Sequence, residues 1–517
     1  MIKLSSMSVS QLVQPKILLV LICIFFLFTR LYKITEIPSS VYWDEASIGY
    51  NAYSIAHTGK DEWDKAFPIH FRAFGEFKLP VYIYAVAPSV WIFGLNAFSV
   101  RLPSVLFSLG IVILTFFLAK KLSGSTAVGL FSSFFISTSP WFFIFSRTGY
   151  EVTAGLMFYL LAIYLFLKLD TSRWYILFSI ISFVLSIYSY NSFRLIAPLT
   201  ILLLVVFHIK NVDILKRSVL PIFLSIIILI IAIIPIYRLY VYDAGASRLQ
   251  VVSASSSDLV KNYLSHFSLD FLLLNGDKNL RSQQPGFGQL YLPELILLLL
   301  GLLHMVKNKS KYRLMPLALL LLGPIPAAIT KESPHALRAI SMVPFIAMIS
   351  AEGVNYLGEI IKKRYIFYPA IIIIFFGFFL NLFINFLNVY PVKSSKDWQY
   401  GYQQAVNLVN KKIFTGYDRV IISDEYAQPY IFALFYQKTA PDIFRQTVVR
   451  NSVDQWGFST VAKFGKFEFG KIGKLLEGDS KNTLVFASGK EFIPNLSPSG
   501  IINFLNGEIA FRVYKLK

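Results

Sequence analysis

V-L-P-I-F-L-S-I-I-I-L-I-I-A-I-I-P-I-Y-R-L-Y, residues 219–240, carries a single basic side chain, Arg238, close to its end, and no acid. A helix of this length, rising 1.5 Å per residue, crosses a hydrocarbon core of about 30 Å. Working outward from it, similar apolar runs lie at 16–34, 101–119, 126–145, 152–168, 174–190, 195–209, 291–306, 314–330, 337–357 and 366–389. With 219–240 they make eleven. The expected fold class is therefore a polytopic α-helical membrane protein with about eleven transmembrane helices.

Composition agrees. Of the 517 residues, 55% are hydrophobic and 15% charged, where a soluble domain carries about 25% charged residues. Forty-eight Phe and 29 Tyr suit lipid-facing surfaces and headgroup-level aromatic belts. Cys23 is the one cysteine, which excludes an internal disulfide and a thiolate metal cluster. The net charge of +20 is scattered in small groups between apolar runs, so it reports topology and not a nucleic-acid surface; no nucleic-acid partner is expected.

Loops of one parity hold Lys120 and Lys121; Lys168 and Arg173; Lys210, Lys216 and Arg217; Lys307, Lys309, Lys311 and Arg313; and Lys362, Lys363 and Arg364. The short loops of opposite parity hold only Arg147, Arg194, Lys331 and Arg338. The positive-inside rule then sets the N-terminus in the cytoplasm of a multi-pass cell-membrane protein and the C-terminal segment outside. Lys3, Lys16 and the short run 17–29 resemble a signal peptide, but no small-x-small cleavage site follows, and an uncleaved anchor is expected. Arg30 and Lys33 are expected to snorkel and extend that span. Residues 1–389 form the expected membrane domain, with a first extracytoplasmic loop at 35–100 and a second at 241–290. The tail, 390–517, mixes charged and apolar residues: 418–424 and 483–487 read as buried strands, 398–412 and 428–437 as amphipathic helices. A small extracytoplasmic α/β domain is expected there.

The first loop opens V-Y-W-D-E-A-S-I-G-Y-N-A-Y (41–53). Adjacent side chains point to different faces of a strand and do not face each other on a helix, so Asp44 and Glu45 are not a proton-sharing dyad. One enters a site while the other fixes it from behind; or the pair is a solvated loop mouth, or Asp44 caps a short helix beginning near Ala46. Further on come G-K-D-E-W-D-K (59–65), F-R-A-F-G-E-F-K-L-P-V-Y (71–82) and an Arg101-Leu102-Pro103 helix start.

An acidic pair after the first transmembrane helix, then Lys78-Leu79-Pro80, then Arg-Leu-Pro resembles the GT-C membrane glycosyltransferases, in particular the protein O-mannosyltransferase-like and aminoarabinose-transferase families. The resemblance covers about 15–240 and weakens toward 390. It implies a GT-C fold and transfer of a sugar from a polyprenyl-phosphate donor to a lipid, glycan or protein acceptor on the outer face, with inversion. By that likeness Asp44 takes the acceptor proton, Glu45 supports it, and Lys78 contacts the donor phosphate. Trp-Asp-Glu stands where the oligosaccharyltransferase branch has its metal-binding Asp-x-Asp, so no metal and no cofactor is expected. General-base catalysis by a carboxylate and stabilisation of a leaving phosphate by fixed cations suit these roles.

Other residues on the same side carry two readings each. Arg147 and Glu151, at i and i+4 in F-S-R-T-G-Y-E (145–151), either pair on a helix surface or serve the site, Arg147 at phosphate and Glu151 at substrate. Arg194 in S-Y-N-S-F-R (189–194) either snorkels or binds substrate. His335 and Arg338 in K-E-S-P-H-A-L-R (331–338) lie one turn apart; they are structural, or His335 faces the substrate and Arg338 is a second phosphate contact. Asp277 in L-N-G-D-K-N-L-R (274–281) reads as turn chemistry. A polysaccharide polymerase or ligase, and a lipid flippase or secondary transporter, are the alternatives; helix centres almost free of charge, with no repeat, favour interfacial chemistry over a transport path.

Overall fold

The computed structural model describes residues 14–516 except 75, 209–217, 244, 246–252, 308–311, 313, 362, 412–413, 415, 454–457 and 478–480. Lys210, Lys216, Arg217, Lys309, Lys311, Arg313 and Lys362, counted above for topology, lie outside the described residues, as does Lys3 of the signal-peptide-like start. Each of the eleven apolar segments is helical over most of its described length. Ala97–Ser123, Val219–Tyr242 and Arg364–Asn388 are long and apolar enough to cross a membrane by length and composition. Others are shorter or broken: 126–145 divides into Thr126–Thr138 and Pro140–Phe145, where proline starts a new helix. Likewise 314–330 divides into Met315–Leu322 and Ile325–Ala328.

Local chemistry fixes several ends. Asn96 and Ser99 form a capping box that starts Ala97–Ser123, so this helix begins ahead of Arg101. Gly124, at φ 78°, ends it in the left-handed conformation, and Ser125 caps its successor. Helices Leu292–Lys307 and Met342–Ile360 cross in close contact at Gly301 and Gly353.

The stretch 35–100 is not an open loop. It holds helices Trp43–Thr58 and Pro80–Phe93 with a small antiparallel hairpin between them, β1 (Phe71–Arg72) and β2 (Phe77–Lys78). Trp43–Thr58 is buried on most of its faces, which erases the amphipathic period that marks a surface helix. It also begins three residues before Ala46, with Tyr42 at the cap, so Asp44 is not the capping residue. Arg30 departs from expectation too: it does not reach the interface but is fully buried, stacked between Phe26 and Phe143 at 4.5 and 4.6 Å.

The tail forms an α/β unit. Strands β3 (Arg419–Ser423), β4 (Val449–Arg450), β5 (Val461–Phe464), β6 (Phe467–Gly470), β7 (Thr483–Ser488), β8 (Gly500–Asn503) and β9 (Ile509–Leu516) join in the order β4-β5-β6-β3-β7-β9-β8. Central β3 is parallel to β6 and β7, and the remaining pairs are antiparallel. Helix Pro429–Gln437 packs against Trp43–Thr58, and one apolar core runs from Ile48 and Tyr82 through Phe432 and Phe444 to Phe486. The tail is thereby seated on the helix that carries Asp44 and Glu45.

Candidate active site

Asp44 and Glu45 occupy the first turn of Trp43–Thr58, where the helix dipole favours negative charge. Their side chains diverge. Glu45 is fully buried and takes a bidentate pair from Arg101, Nε and Nη2 each at 2.9 Å, and the Gly149 N–H at 2.7 Å. Gly149 is required by that approach: a Cβ there would lie 2.8 Å from Val100 Cγ1 and 3.2 Å from Glu45 Oε1. Arg101 spends its remaining donors on the Ile34, Pro38 and Ser40 carbonyls. Glu45 therefore anchors the helix from behind.

Asp44 instead faces a cavity of about 520 Å³, lined also by Glu76, Lys78, Glu151, Arg194, Arg281, His335 and Arg338 among others. The β1–β2 hairpin, closed by Ala73 N–H to Glu76 O at 2.9 Å, delivers Lys78 opposite Asp44. Lys78 Nζ donates to Asp44 Oδ1 at 2.5 Å and to Glu76 Oε1 at 3.3 Å. Burial opposes charge on both partners, but their attraction prevails: Asp44 is held below the ordinary carboxylate range and Lys78 above its ordinary value. Glu151, at the start of Val152–Phe166, goes the other way. Burial, aided by Asp44 and Glu76 and opposed by Lys78, pushes its carboxyl up to about 7.

The opposite wall comes from three later segments. Arg281 stacks over Tyr42 and Trp43 at 5.1 and 5.9 Å. Arg338 donates to Thr330 Oγ1 at 2.7 Å, and Arg194 to Tyr240 Oη at 3.2 Å. Asp277 accepts from the Asn279 and Ala336 N–H groups, at 2.9 and 2.7 Å, which ties 274–281 to 335–338. The His335 backbone N–H donates to His266 Nε2 at 3.1 Å, and burial holds the His335 imidazole down at about 3. It is neutral at physiological pH.

A structural match spans nearly the whole chain: ArnT from Cupriavidus metallidurans in the apo state, TM-score 0.62 at 10% identity, covering 96% of this chain and 97% of that one. This is the GT-C glycosyltransferase fold. The same ArnT bound to undecaprenyl phosphate matches at TM-score 0.57 and 11% identity over 96% and 97%. The archaeal oligosaccharyltransferase AglB from Archaeoglobus fulgidus, in complex with an inhibitory peptide and a dolichol-phosphate, matches at 0.50 and 11% over 83% and 64%. The dolichyl-phosphate-mannose-protein mannosyltransferase family matches residues 78–237. No curated protein matches by sequence.

Within this GT-C fold, six residues singled out from sequence meet at one cavity: Asp44, Lys78, Glu151, Arg194, His335 and Arg338. Arg147 does not, nor does it pair with Glu151. It is fully buried and donates to the Thr29, Tyr32 and Ile37 carbonyls at 3.0, 2.9 and 3.0 Å, so it cannot reach a phosphate in the cavity. Sequence reasoning passed over Glu76 and Arg281. Glu76 stands two residues before Lys78, the i, i+2 spacing that places side chains on one face of a strand. Arg281 had no comparable signal, because its approach to Trp43 is tertiary.

Proposed function

We propose that the chain is a membrane glycosyltransferase that moves a sugar from a polyprenyl-phosphate donor to a hydroxyl acceptor on a lipid, glycan or protein. What carries the reading is the Asp44–Lys78 pair at 2.5 Å inside a cavity that also holds Arg194, Arg281 and Arg338. ArnT with undecaprenyl phosphate and AglB with dolichol-phosphate support the donor class. The donor phosphate draws Lys78 off Asp44, with Arg338 as a second contact. Freed from its ion pair, Asp44 accepts the proton of the attacking hydroxyl. The acceptor oxygen bonds to the anomeric carbon, the carbon–oxygen bond to phosphate breaks, and its electron pair stays on the phosphate, where fixed cations stabilise it. Displacement from the opposite face inverts the anomeric centre. Glu45 holds Asp44's helix in place; Arg194 and neutral His335 face the sugar.

Lys78 Nζ already stands between Asp44 and Glu76, the place a divalent cation takes in a carboxylate site, and the proposed reaction is metal-independent. We place the cavity outside the cell membrane and the N-terminus inside, supported by Lys120, Lys121, Lys168, Arg173, Lys307, Lys363 and Arg364 at the helix ends and connections of the opposite parity.

The test is transfer by purified full-length protein from a panel of radiolabelled polyprenyl-phosphate sugars, with and without chelator. Asp44→Asn lowers kcat by about 10²–10⁴-fold with the protein still folded; Lys78→Ala raises the donor KM. Absence of transfer from every donor sinks the reading. Full activity of Asp44→Asn sinks only the assignment of the base.

A further inference from the structure

Behind the cavity lie three arginines, Arg30, Arg101 and Arg147, none with any exposed surface. Glu45 neutralises Arg101. Among the described residues no carboxylate pairs with Arg30 or Arg147. Both guanidiniums converge on the same two residues. Arg30 Nη1 donates to Thr29 Oγ1 at 2.8 Å and Arg147 Nη1 to the Thr29 carbonyl at 3.0 Å. Arg30 lies 4.6 Å and Arg147 5.7 Å from the centre of the Phe143 ring.

Two like charges thus stand side by side without solvent. A buried lysine or histidine escapes this by losing its proton, but a guanidinium does not. Carbonyl dipoles and the faces of Phe26, Phe143 and Phe386 supply only part of a counter-charge. Each side chain also keeps an unanswered donor: Arg30 Nη2 and Arg147 Nε are buried and hydrogen-bond to no protein group. An uncompensated buried charge is among the costliest features a fold can hold.

We propose that Arg30 and Arg147 bind a small monovalent inorganic anion of the halide class between them. Neither side chain lines the 520 Å³ cavity, so the site is separate from it; with both guanidiniums fully buried and packed on Phe26, Phe143 and Phe386, a small ion suits the place better than a bulky one. Arg30 Nε already donates to Ser146 Oγ at 2.9 Å, and the ion adds a second tie between helix Pro15–Leu31 and the 146–151 turn that carries Gly149 and Glu151. Its role is structural and independent of which substrate the cavity takes.

The experiment uses the purified full chain in detergent. Protein exchanged into gluconate is titrated with chloride at constant ionic strength while thermal unfolding is followed. A saturable rise of about 3 °C in Tm is expected, and protein equilibrated with bromide and then desalted retains about one bromide per chain by X-ray fluorescence. Arg30→Gln abolishes both. Equal Tm in chloride and gluconate, with no bromide retained, overturns the proposal in favour of water at the orphaned donors. A chloride response that persists in Arg30→Gln overturns it in favour of another site. Should Arg30→Gln not fold, the wild-type titration and the bromide count decide by themselves.

Discussion

Asp44 and Glu151 share one cavity and one lysine but differ in proton affinity. Lys78 bonds Asp44 directly and keeps it ionised, whereas burial and two neighbouring acids leave Glu151 at about 7. Above that pH three carboxylates surround Lys78, and an arriving phosphate meets one more negative charge than it does below. Donor binding is therefore expected to tighten as pH falls from 8 to 6, the donor KM dropping about three- to tenfold for one unit charge at this range. Glu151→Gln fixes the neutral form, so its donor KM should stay low and flat across the same interval. Steady-state kinetics at several pH values check this; a wild-type KM that does not move, or a Glu151→Gln KM that moves as the wild type does, counts against it. At this scale the sequence was partly legible. Adjacency alone separates Asp44 from Glu45, because neighbouring residues on a helix turn diverge. Arg147 was not legible: its partners are carbonyls of a chain reversal at 29–37, and no pattern of side chains announces a cluster of backbone acceptors.

Among the elements, uninterrupted apolar runs announce helices well, since a helix satisfies its own backbone in lipid. The 35–100 stretch hid two helices for different reasons: Trp43–Thr58 is packed on several sides and carries polar residues without a 3.6-residue period, whereas Pro80–Phe93 is apolar but only 14 residues long, short of a full span. Pro80 at the first turn and Gly59 and Gly94 past the ends, at φ 67° and 74°, were the available boundary signals. Glycine matters differently where Leu292–Lys307 meets Met342–Ile360. A Cβ on Gly353 would fall on the Leu297 carbonyl oxygen, and one on Gly301 on the Ile349 carbonyl oxygen. These obstacles are backbone, which does not rotate away. Gly353→Ala must push the helices apart, a strain of about 1–3 kcal/mol, and is expected to lower Tm in detergent. Gly377→Ala, with open space around the added methyl, serves as the control. Equal Tm values for the two variants would mean that the crossing is looser than these contacts imply.

For the whole molecule, the question is whether the tail merely covers the cavity or helps build it. Helix Trp43–Thr58 has no side-chain cap of its own; Tyr42 provides none. The tail supplies one. Gln399 Oε1 accepts the Trp43 N–H at 3.0 Å, while Gln399 Nε2 donates to the Tyr426 carbonyl at 2.7 Å, so one amide bridges the α/β unit to the turn that holds Asp44. Trp398 beside it packs edge-on against Tyr42 and lies 5.7 Å from the Arg101 guanidinium that grips Glu45. Further along the helix, Tyr50 donates to the Thr439 carbonyl and Arg445 to Ser54. A cap contributes about 1 kcal/mol to a helix, but here its larger effect is angular, since a misplacement of about 1 Å at a reacting group costs up to about 100-fold in rate. Gln399→Ala is accordingly expected to lower kcat about tenfold with the donor KM nearly unchanged, because the proposed phosphate contacts, Lys78 and Arg338, lie on the hairpin and on 330–338 and not on the tail. Gln399→Glu keeps the accepting oxygen but loses the donor to the Tyr426 carbonyl, so it should recover the capping part of the loss and not the part that depends on the bridge. Val449→Ala, at an exposed position on β4 away from this bridge, should change neither constant. If Gln399→Ala raised the donor KM and left kcat intact, the tail would be acting on substrate access, and the bridge to Trp43 would be incidental.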